Sequence, residues 1–178
     1  MLKFNSIKSF RGSSLLFLGL LLSFSPFFLS GCFKEDGPNL EEELRKQQEA
    51  YFKQLGIDTV LIKQHLVDHG ITNAKRTPSG LFYVEQEVGL GKKPAANKGV
   101  TVQYKLHSLE GDLLDDGSFN FTMGARQVVV GFEEGVSLMK VGGKSQLYVP
   151  SGLGYGTGGS LGPNKILIFD VELLAAQQ

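Results

Sequence analysis

The fold class follows from one strictly alternating stretch of the sequence, VTVQYKLH at residues 100–107. Its apolar side chains occur at every second position, at Val100, Val102, Tyr104 and Leu106. Successive side chains of a β-strand point to opposite faces of the sheet. The stretch therefore predicts a strand with one buried face and one solvated face.

Other stretches that predict strands occur before and after this one in the sequence. Residues 81–88 alternate loosely, residues 165–174 are predicted to be a last strand with Leu167, Phe169, Val171 and Leu173 facing in, and shorter runs surround Phe121 and Leu147. Helical spacing of apolar residues occurs at residues 131–140, through Phe132, Val136 and Met139. We therefore predict an α+β domain over residues 79–178, in which an antiparallel sheet wraps on one short helix. About 100 residues are enough to bury a core of their own.

A short helical leader is predicted before this domain, over residues 40–78. Asn39 is a suitable N-cap, and the three glutamates that follow Leu40 lie in the first turn, where the helix dipole favours them. Gly56 predicts the end of a first helix, and Asp58 predicts the N-cap of a second helix that ends at Gly70. Two short amphipathic helices indicate a spacer or a docking hairpin. A loop at residues 75–80 predicts the domain boundary.

The N-terminal 31 residues have the pattern of a secretory signal peptide. Three basic residues precede an apolar run at residues 14–29, which leads into Leu29-Ser30-Gly31-Cys32. This tetrapeptide resembles the bacterial lipobox, which implies cleavage before Cys32, lipid on its thiol and a tether at residues 32–39. An uncleaved membrane-spanning helix is the alternative. It is not favoured, because the apolar run contains Pro26 and is short for a hydrocarbon core that is ~30 Å thick.

Composition and motifs argue against several other classes of function. Residues 33–178 carry a net charge of −3 without a basic cluster, which does not favour nucleic-acid binding. The Gly-rich residues 152–159 are followed by a predicted strand, whereas a phosphate-binding loop leads into a helix. His65, His69 and His107 form neither a metal-ligand cluster nor a hydrolytic set, and the first two are predicted to be surface histidines. We expect no metal and no cofactor.

A series of motifs in the predicted domain occurs in an order typical of one family. They are VQY at 102–104, EGDLLD at 110–115, FNFTMG at 119–124, VVVGFEEGV at 128–136, GYG at 154–156 and LIFDVELL at 167–174. Over residues 80–176 the sequence thus resembles the FKBP-type peptidyl-prolyl cis-trans isomerases. The helical leader and residues 77–83 are similar to bacterial lipoprotein members of that family, some of which are associated with gliding motility.

The resemblance implies six catalytic residues: Tyr104, Asp115, Val129, Phe132, Tyr155 and Phe169. Tyr104, Phe132 and Phe169 would line a proline pocket. Phe132 would be its floor, where the family usually has Trp. The Val129 N–H would bind a substrate carbonyl, while Asp115 and Tyr155 would form a polar rim.

The resemblance also implies five substrate-binding residues: Leu114, Phe119, Gln127, Val128 and Leu161. Three departures from the family pattern affect the rim, one of which is Leu161-Gly162-Pro163 in place of the usual Ile-Pro-Pro. Leu114 replaces the usual Phe, and the Arg that normally steadies the Asp and Tyr is missing. A catalytically weak binding or chaperone module is therefore the alternative to an active enzyme.

The motifs together predict a peptidyl-prolyl isomerase that assists the folding of exported or envelope proteins. Its partners would be proline-containing unfolded polypeptides and a membrane, which it would bind through lipidated Cys32. It would lie in the cell envelope, at the periplasmic or surface face of the outer membrane. A third hypothesis is a scaffold subunit of an envelope complex, in which residues 40–70 bind the partner.

Overall fold

A computed structural model describes residues 39–159 and 161–178 of the chain. The predicted signal peptide and Cys32 lie outside the described residues. The two helices are α1 (Leu40–Asp68) and α2 (Val130–Leu138), and a 3-10 helix spans Ser151–Leu153. The six strands are β1 (Lys75–Arg76), β2 (Phe82–Glu87), β3 (Gly99–Ser108), β4 (Leu113–Thr122), β5 (Lys144–Val149) and β6 (Leu167–Ala176).

The strands form one antiparallel sheet in the order β1-β2-β5-β6-β3-β4. The alternating strand β3 is an interior strand of this sheet, because it pairs with both β4 and β6. Tyr104 lies opposite Gly117 on one side and opposite Val171 on the other. The predicted α+β class is confirmed.

The short helix α2 covers one face of the sheet. Phe132 and Val136 are buried in the main core with residues of β3, β5 and β6. Two glycines face the sheet, because a Cβ at Gly131 would lie 2.5 Å from Val149 Cγ1 and one at Gly135 would lie 2.4 Å from Leu147 Cδ1. Close approach of α2 to β5 thus depends on both positions.

The predicted pair of leader helices is wrong, because α1 is one helix of 29 residues. The N-cap prediction is confirmed, since Asn39 Oδ1 accepts a hydrogen bond from the Glu41 N–H at 3.2 Å. Gly56 does not end the helix and Asp58 does not cap a second one. The Asp58 carboxyl group is 1 % exposed and binds a distant segment of the chain instead. Tertiary contacts thus outweigh the cost of an internal glycine, about 1 kcal/mol.

The C-terminal half of α1 covers the other face of the sheet. Ile62 and Leu66 are buried there in a second apolar cluster with Phe82, Val84, Tyr148, Ile166 and Ile168. The N-terminal half is more exposed, with Leu40 at 70 % and Leu44 at 55 %. Neither helix of the described residues is long and apolar enough to cross a membrane.

Candidate active site

A cavity of about 460 Å³ opens between α2 and the strands of the main core. It brings together all six residues predicted to be catalytic and three of those predicted to bind substrate. Its lining consists of Tyr104, Leu106, Asp115, Phe119, Arg126, Gln127, Val128, Val129, Phe132, Tyr155 and Phe169. The roles of these residues stay predictions.

Aromatic rings form the apolar part of the cavity. Phe132, at the start of α2, is 2 % exposed, and its ring meets Phe169 of β6 edge-on at 4.9 Å between centroids. Phe119 of β4 stacks on Phe132 at 6.0 Å, and Tyr104 of β3 lies edge-on to Phe119 at 5.3 Å. Such packing limits the movement of each ring. The result is a preformed apolar cleft of the kind that accepts a small apolar group.

A hydrogen-bonded pair, Tyr104 and Asp115, forms the polar part of the mouth. Asp115 is the diagonal neighbour of Tyr104 across β3 and β4, since Tyr104 lies opposite Gly117. The Tyr104 hydroxyl donates to Asp115 Oδ2 at 2.5 Å, and the Asp116 N–H donates to Asp115 Oδ1 at 3.0 Å. The hydrogen bond to Asp115, aided by burial, raises the pKa of Tyr104 to about 12. Tyr104 therefore stays a neutral donor at physiological pH.

The Asp115 carboxylate is held by hydrogen bonds rather than by a cation. Among the ion pairs of the described residues, none includes Asp115. Arg126 lines the same cavity and has a left-handed φ of 53° in the turn after β4. Two donors thus orient both oxygens of Asp115 although the family's usual Arg is missing.

Val129 lines the cavity and has a backbone N–H that is unpaired in the described part of the chain. It is the N-cap of α2, and its carbonyl accepts from the N–H groups of Phe132 and Glu133. Its own N–H donates to no acceptor within the described residues. The preceding turn is fixed, because Gln127 Oε1 accepts from the Thr122 N–H at 2.8 Å and Glu133 accepts from the Gly124 N–H. A helix N-terminus with an unpaired N–H is suited to binding a carbonyl oxygen.

Two residues predicted to bind substrate lie elsewhere. Leu114 is 38 % exposed on β4, and Leu161 packs against the main core, and neither lines the cavity. Two lining residues were missed, Leu106 and Arg126. Leu106 could have been found, since it shares the apolar face of β3 with Tyr104. Arg126 could not, because its location depends on a turn without a specific sequence signal.

The histidines lie outside the cavity. His107 Nε2 is 3.4 Å from Asp170 Oδ2. The rings of His65 and His69 stack at 3.9 Å on α1, and His65 also packs on Tyr148. His65 is therefore partly buried, which corrects the prediction that it lies on a solvated face. Within residues 39–159 and 161–178, no three His, Cys, Asp or Glu side chains are grouped to hold a metal ion.

Comparison with known proteins relates this geometry to a family. The model of the FKBP-type peptidyl-prolyl cis-trans isomerase family matches residues 91–174. A probable FKBP-type isomerase FkpA of Neisseria meningitidis is 38 % identical over 119 residues, which are 64 % of this chain and 43 % of that protein. The chain thus spans less than half the length of that curated relative.

A shorter relative and a solved structure match over nearly their whole length. An FK506-binding protein of Neisseria meningitidis is 38 % identical over 103 residues, 53 % of this chain and 94 % of that protein. The crystal structure of a peptidyl-prolyl cis-trans isomerase from Pseudomonas syringae superposes with a TM-score of 0.61 at 26 % identity, over 71 % of this chain and 95 % of that one. This chain therefore belongs to the FKBP-type peptidyl-prolyl cis-trans isomerase family.

Proposed function

We propose that this chain is a peptidyl-prolyl cis-trans isomerase that acts on exported or envelope proteins. The observation that carries the proposal is the aromatic cavity with the unpaired Val129 N–H at one edge and the Tyr104–Asp115 pair at its mouth. No acid–base or nucleophilic group is required, because the reaction is a rotation about one bond.

The barrier to that rotation comes from amide resonance. It amounts to ~18–20 kcal/mol, and uncatalysed exchange of an Xaa-Pro bond takes tens to hundreds of seconds. The planar amide has separated charge, which an apolar site solvates poorly. When the proline ring lies on Phe132, with Tyr104 and Phe169 beside it, the planar form of the Xaa-Pro amide would thus lose part of its stabilisation. The twisted form loses less, so the barrier falls.

Fixed polar groups then favour the twisted amide further. In the proposed complex the Val129 N–H binds a carbonyl oxygen of the substrate, and Asp115 and Tyr155 contact its backbone at the mouth. Preorganised dipoles of this kind stabilise a transition state without reorganising during the reaction. The bonds from Tyr104 and Asp116 keep Asp115 oriented for this purpose.

We also propose that a lipid on Cys32 anchors the enzyme in the cell envelope, at the periplasmic or surface face of the outer membrane. The support is the basic, apolar and small-residue order that ends in Leu29-Ser30-Gly31-Cys32. Proline-containing polypeptides emerging unfolded at that membrane would be the substrates. Residues 79–178 would be the isomerase domain and residues 40–78 its leader.

The deciding experiment is isomerisation of a Leu-Pro tetrapeptide by the full chain in detergent. We expect clear acceleration, and a loss of roughly tenfold in kcat/KM for Asp115→Ala, less than is typical for removal of a fully buried preorganised donor. Asp116→Ala is the matched control, because it removes the adjacent exposed carboxylate, which does not line the cavity. Equal losses in both variants would argue against a specific role of Asp115.

A binding module without strong catalysis is the second candidate. It is favoured by two features of β4: Asp115 lacks an ion-pair partner in the described residues, and Leu114, where the family usually has Phe, does not line the cavity. In that case the folded chain would not accelerate isomerisation, yet the peptide would still shift the Val129 amide resonance in a ¹⁵N NMR spectrum. If the folded chain neither accelerates isomerisation nor shows a shift of the Val129 amide resonance, both candidates are contradicted.

A further inference from the structure

We propose that Asp58 of α1 is a positioning residue for Tyr155, so that a helix outside the family-matched residues 91–174 sets the shape of the active-site wall. The inference rests on the proposed isomerase function of the cavity. Tyr155 lies near the end of residues 151–156, the 151–156 segment, which follows β5.

Asp58 binds the start of this segment with a buried carboxyl group. Its Oδ2 accepts from both the N–H and the hydroxyl of Ser151, each at 2.7 Å, and its Oδ1 accepts from Gln54 Nε2 at 2.8 Å. Asp58 is 1 % exposed and Ser151 is fully buried. Aspartate is rarely buried to this extent without specific partners, since its desolvation is costly. The contact is therefore a specific connection between α1 and the segment.

Ser151 in turn fixes the backbone on both sides of Tyr155. Its carbonyl accepts from the Gly154 N–H at 3.0 Å and from the Gly156 N–H at 2.9 Å. Gly156 has a φ of +62°, a left-handed conformation that glycine adopts readily. Tyr155 lies between these two bonds and lines the cavity while 48 % of it stays exposed. Its position thus depends on where Ser151 is held.

A second contact joins the same face of α1 to the segment. Tyr51 lies two helical turns before Asp58, and a Cβ at Gly152 would be 2.5 Å from Tyr51 Cε2. The backbone of Gly152 therefore packs directly on the Tyr51 ring. Two adjacent residues of the segment, Ser151 and Gly152, are bound by two residues of one helix.

Loss of the Asp58 carboxyl group would leave the Ser151 N–H and hydroxyl buried without an acceptor. Such a state is unfavourable, so the segment would shift until both groups find water. The Tyr155 side chain would move with it, whereas Phe132 and Phe169 belong to other elements and would stay. We expect the result to be a change in substrate turnover that is transmitted only through Tyr155.

A double-mutant cycle in the full chain tests this route. We expect Asp58→Ala to lower kcat/KM for the Leu-Pro tetrapeptide roughly tenfold, and to cause no further loss when Tyr155→Ala is already present. Asp58→Asn should retain most of the activity, because an amide oxygen can still accept from Ser151. Urea unfolding should show the same destabilisation by Asp58→Ala in both backgrounds.

Ile62→Ala is the matched control on the same helix, because it removes buried apolar contacts within the second cluster, which includes no residue of the 151–156 segment. It should lower stability and leave kcat/KM of the folded protein unchanged. The proposal would be overturned if Asp58→Ala lowers kcat/KM equally in the wild type and in Tyr155→Ala. It would also be overturned if Asp58→Ala does not lower kcat/KM of an active wild type.

An NMR measurement separates this inference from the proposed function. Asp58→Ala should shift or broaden the amide signals of Gly154, Tyr155 and Gly156, whereas Ile62→Ala should not. If the wild-type chain has no isomerase activity but these signals respond, the proposed function fails and the positioning by Asp58 stands. Unchanged signals in Asp58→Ala overturn the positioning whatever the activity.

Discussion

Tyr104 and Asp115 show how two single residues set the polarity of the cavity mouth. The pair is joined across two strands, so its geometry depends on the register of β3 and β4. A neutral phenol donates to a carboxylate, and that bond disfavours the phenolate. The residue types were predictable from the family motifs, but the hydrogen bond that joins them was not.

The raised pKa of Tyr104 predicts a stability change in alkaline solution. Because the pKa is about 12 in the folded protein against 10.0 for an ordinary tyrosine, the unfolded chain loses its phenol proton first. The stabilisation is complete below pH 10 and falls as pH rises from 10 towards 12.

Tyr104→Phe should therefore decline less in Tm than the wild type between pH 9.5 and 11. Thermal unfolding followed by circular dichroism measures this. An absorbance titration at 295 nm should also lose one late-ionising tyrosine, while Tyr148, whose pKa burial raises to about 12, keeps its late titration. Identical pH profiles for the variant and the wild type would contradict the assignment.

Helix α2 illustrates how an element is placed by its smallest residues. Gly131 and Gly135 are one turn apart and both face β5, so the helix lies close enough for Phe132 to enter the aromatic cluster. A residue with low helix propensity is thus used where packing requires it. Close packing on β5 therefore explains why the Gly-Phe-Glu-Glu-Gly motif has glycine at both ends.

Two glycine substitutions should have opposite effects on stability. Gly135→Ala should destabilise the fold by about 1–3 kcal/mol, since its Cβ would overlap the buried Leu147 side chain. Gly56→Ala is the matched control in α1, where no atom lies within 4 Å of the added Cβ, and it should stabilise by about 0.5–1 kcal/mol. Urea denaturation of the two variants checks both signs, and a neutral Gly135→Ala would show that α2 can move away from β5.

At the scale of the whole molecule, the sheet is covered on both faces. The main core lies between the sheet and α2, and the second cluster lies between the sheet and α1. Because α1 covers Phe82, Val84 and Ile168, the helical leader packs as part of the same folded structure as the sheet. The same helix binds the 151–156 segment, so one element contacts both the sheet and the active-site wall.

Removal of the whole leader, which contains α1 and β1, should destabilise the fold. A chain that begins at residue 79 should bind a hydrophobic dye and unfold at lower urea, because the second cluster loses Ile62 and Leu66, each worth about 2–5 kcal/mol. A chain that begins at residue 50 is the control, since it loses only the exposed N-terminal part of α1. Equal stability of residues 79–178 and the full chain would support the predicted domain boundary instead.

The proposed lipid anchor can be tested in cells. Wild-type protein expressed in a Gram-negative host should incorporate labelled palmitate and sediment with membranes, because two or more acyl chains give stable anchoring. Cys32→Ser should abolish both properties, and Ser25→Ala, within the apolar run, should retain them. Incorporation of label by Cys32→Ser would contradict the lipobox, since the chain has no other cysteine.

The alternating stretches by themselves determined the class of fold. A period of two survives in any context that buries one face, and so the strands around Tyr104 and Phe169 were found at nearly their observed positions. The apolar residues predicted to line the cavity were implied by the family resemblance, and Leu106 was not among them.

Only the tertiary structure decided how α1 is built and what it contacts. Gly56 and Asp58 are ordinary signals for a helix end and an N-cap, and local propensity alone favours that interpretation. The carboxyl group of Asp58 instead meets Ser151, 93 residues later in the chain. A contact over that separation has no local signature, because the cost of an internal glycine and of a buried carboxyl group is offset only once the sheet and the 151–156 segment are in place.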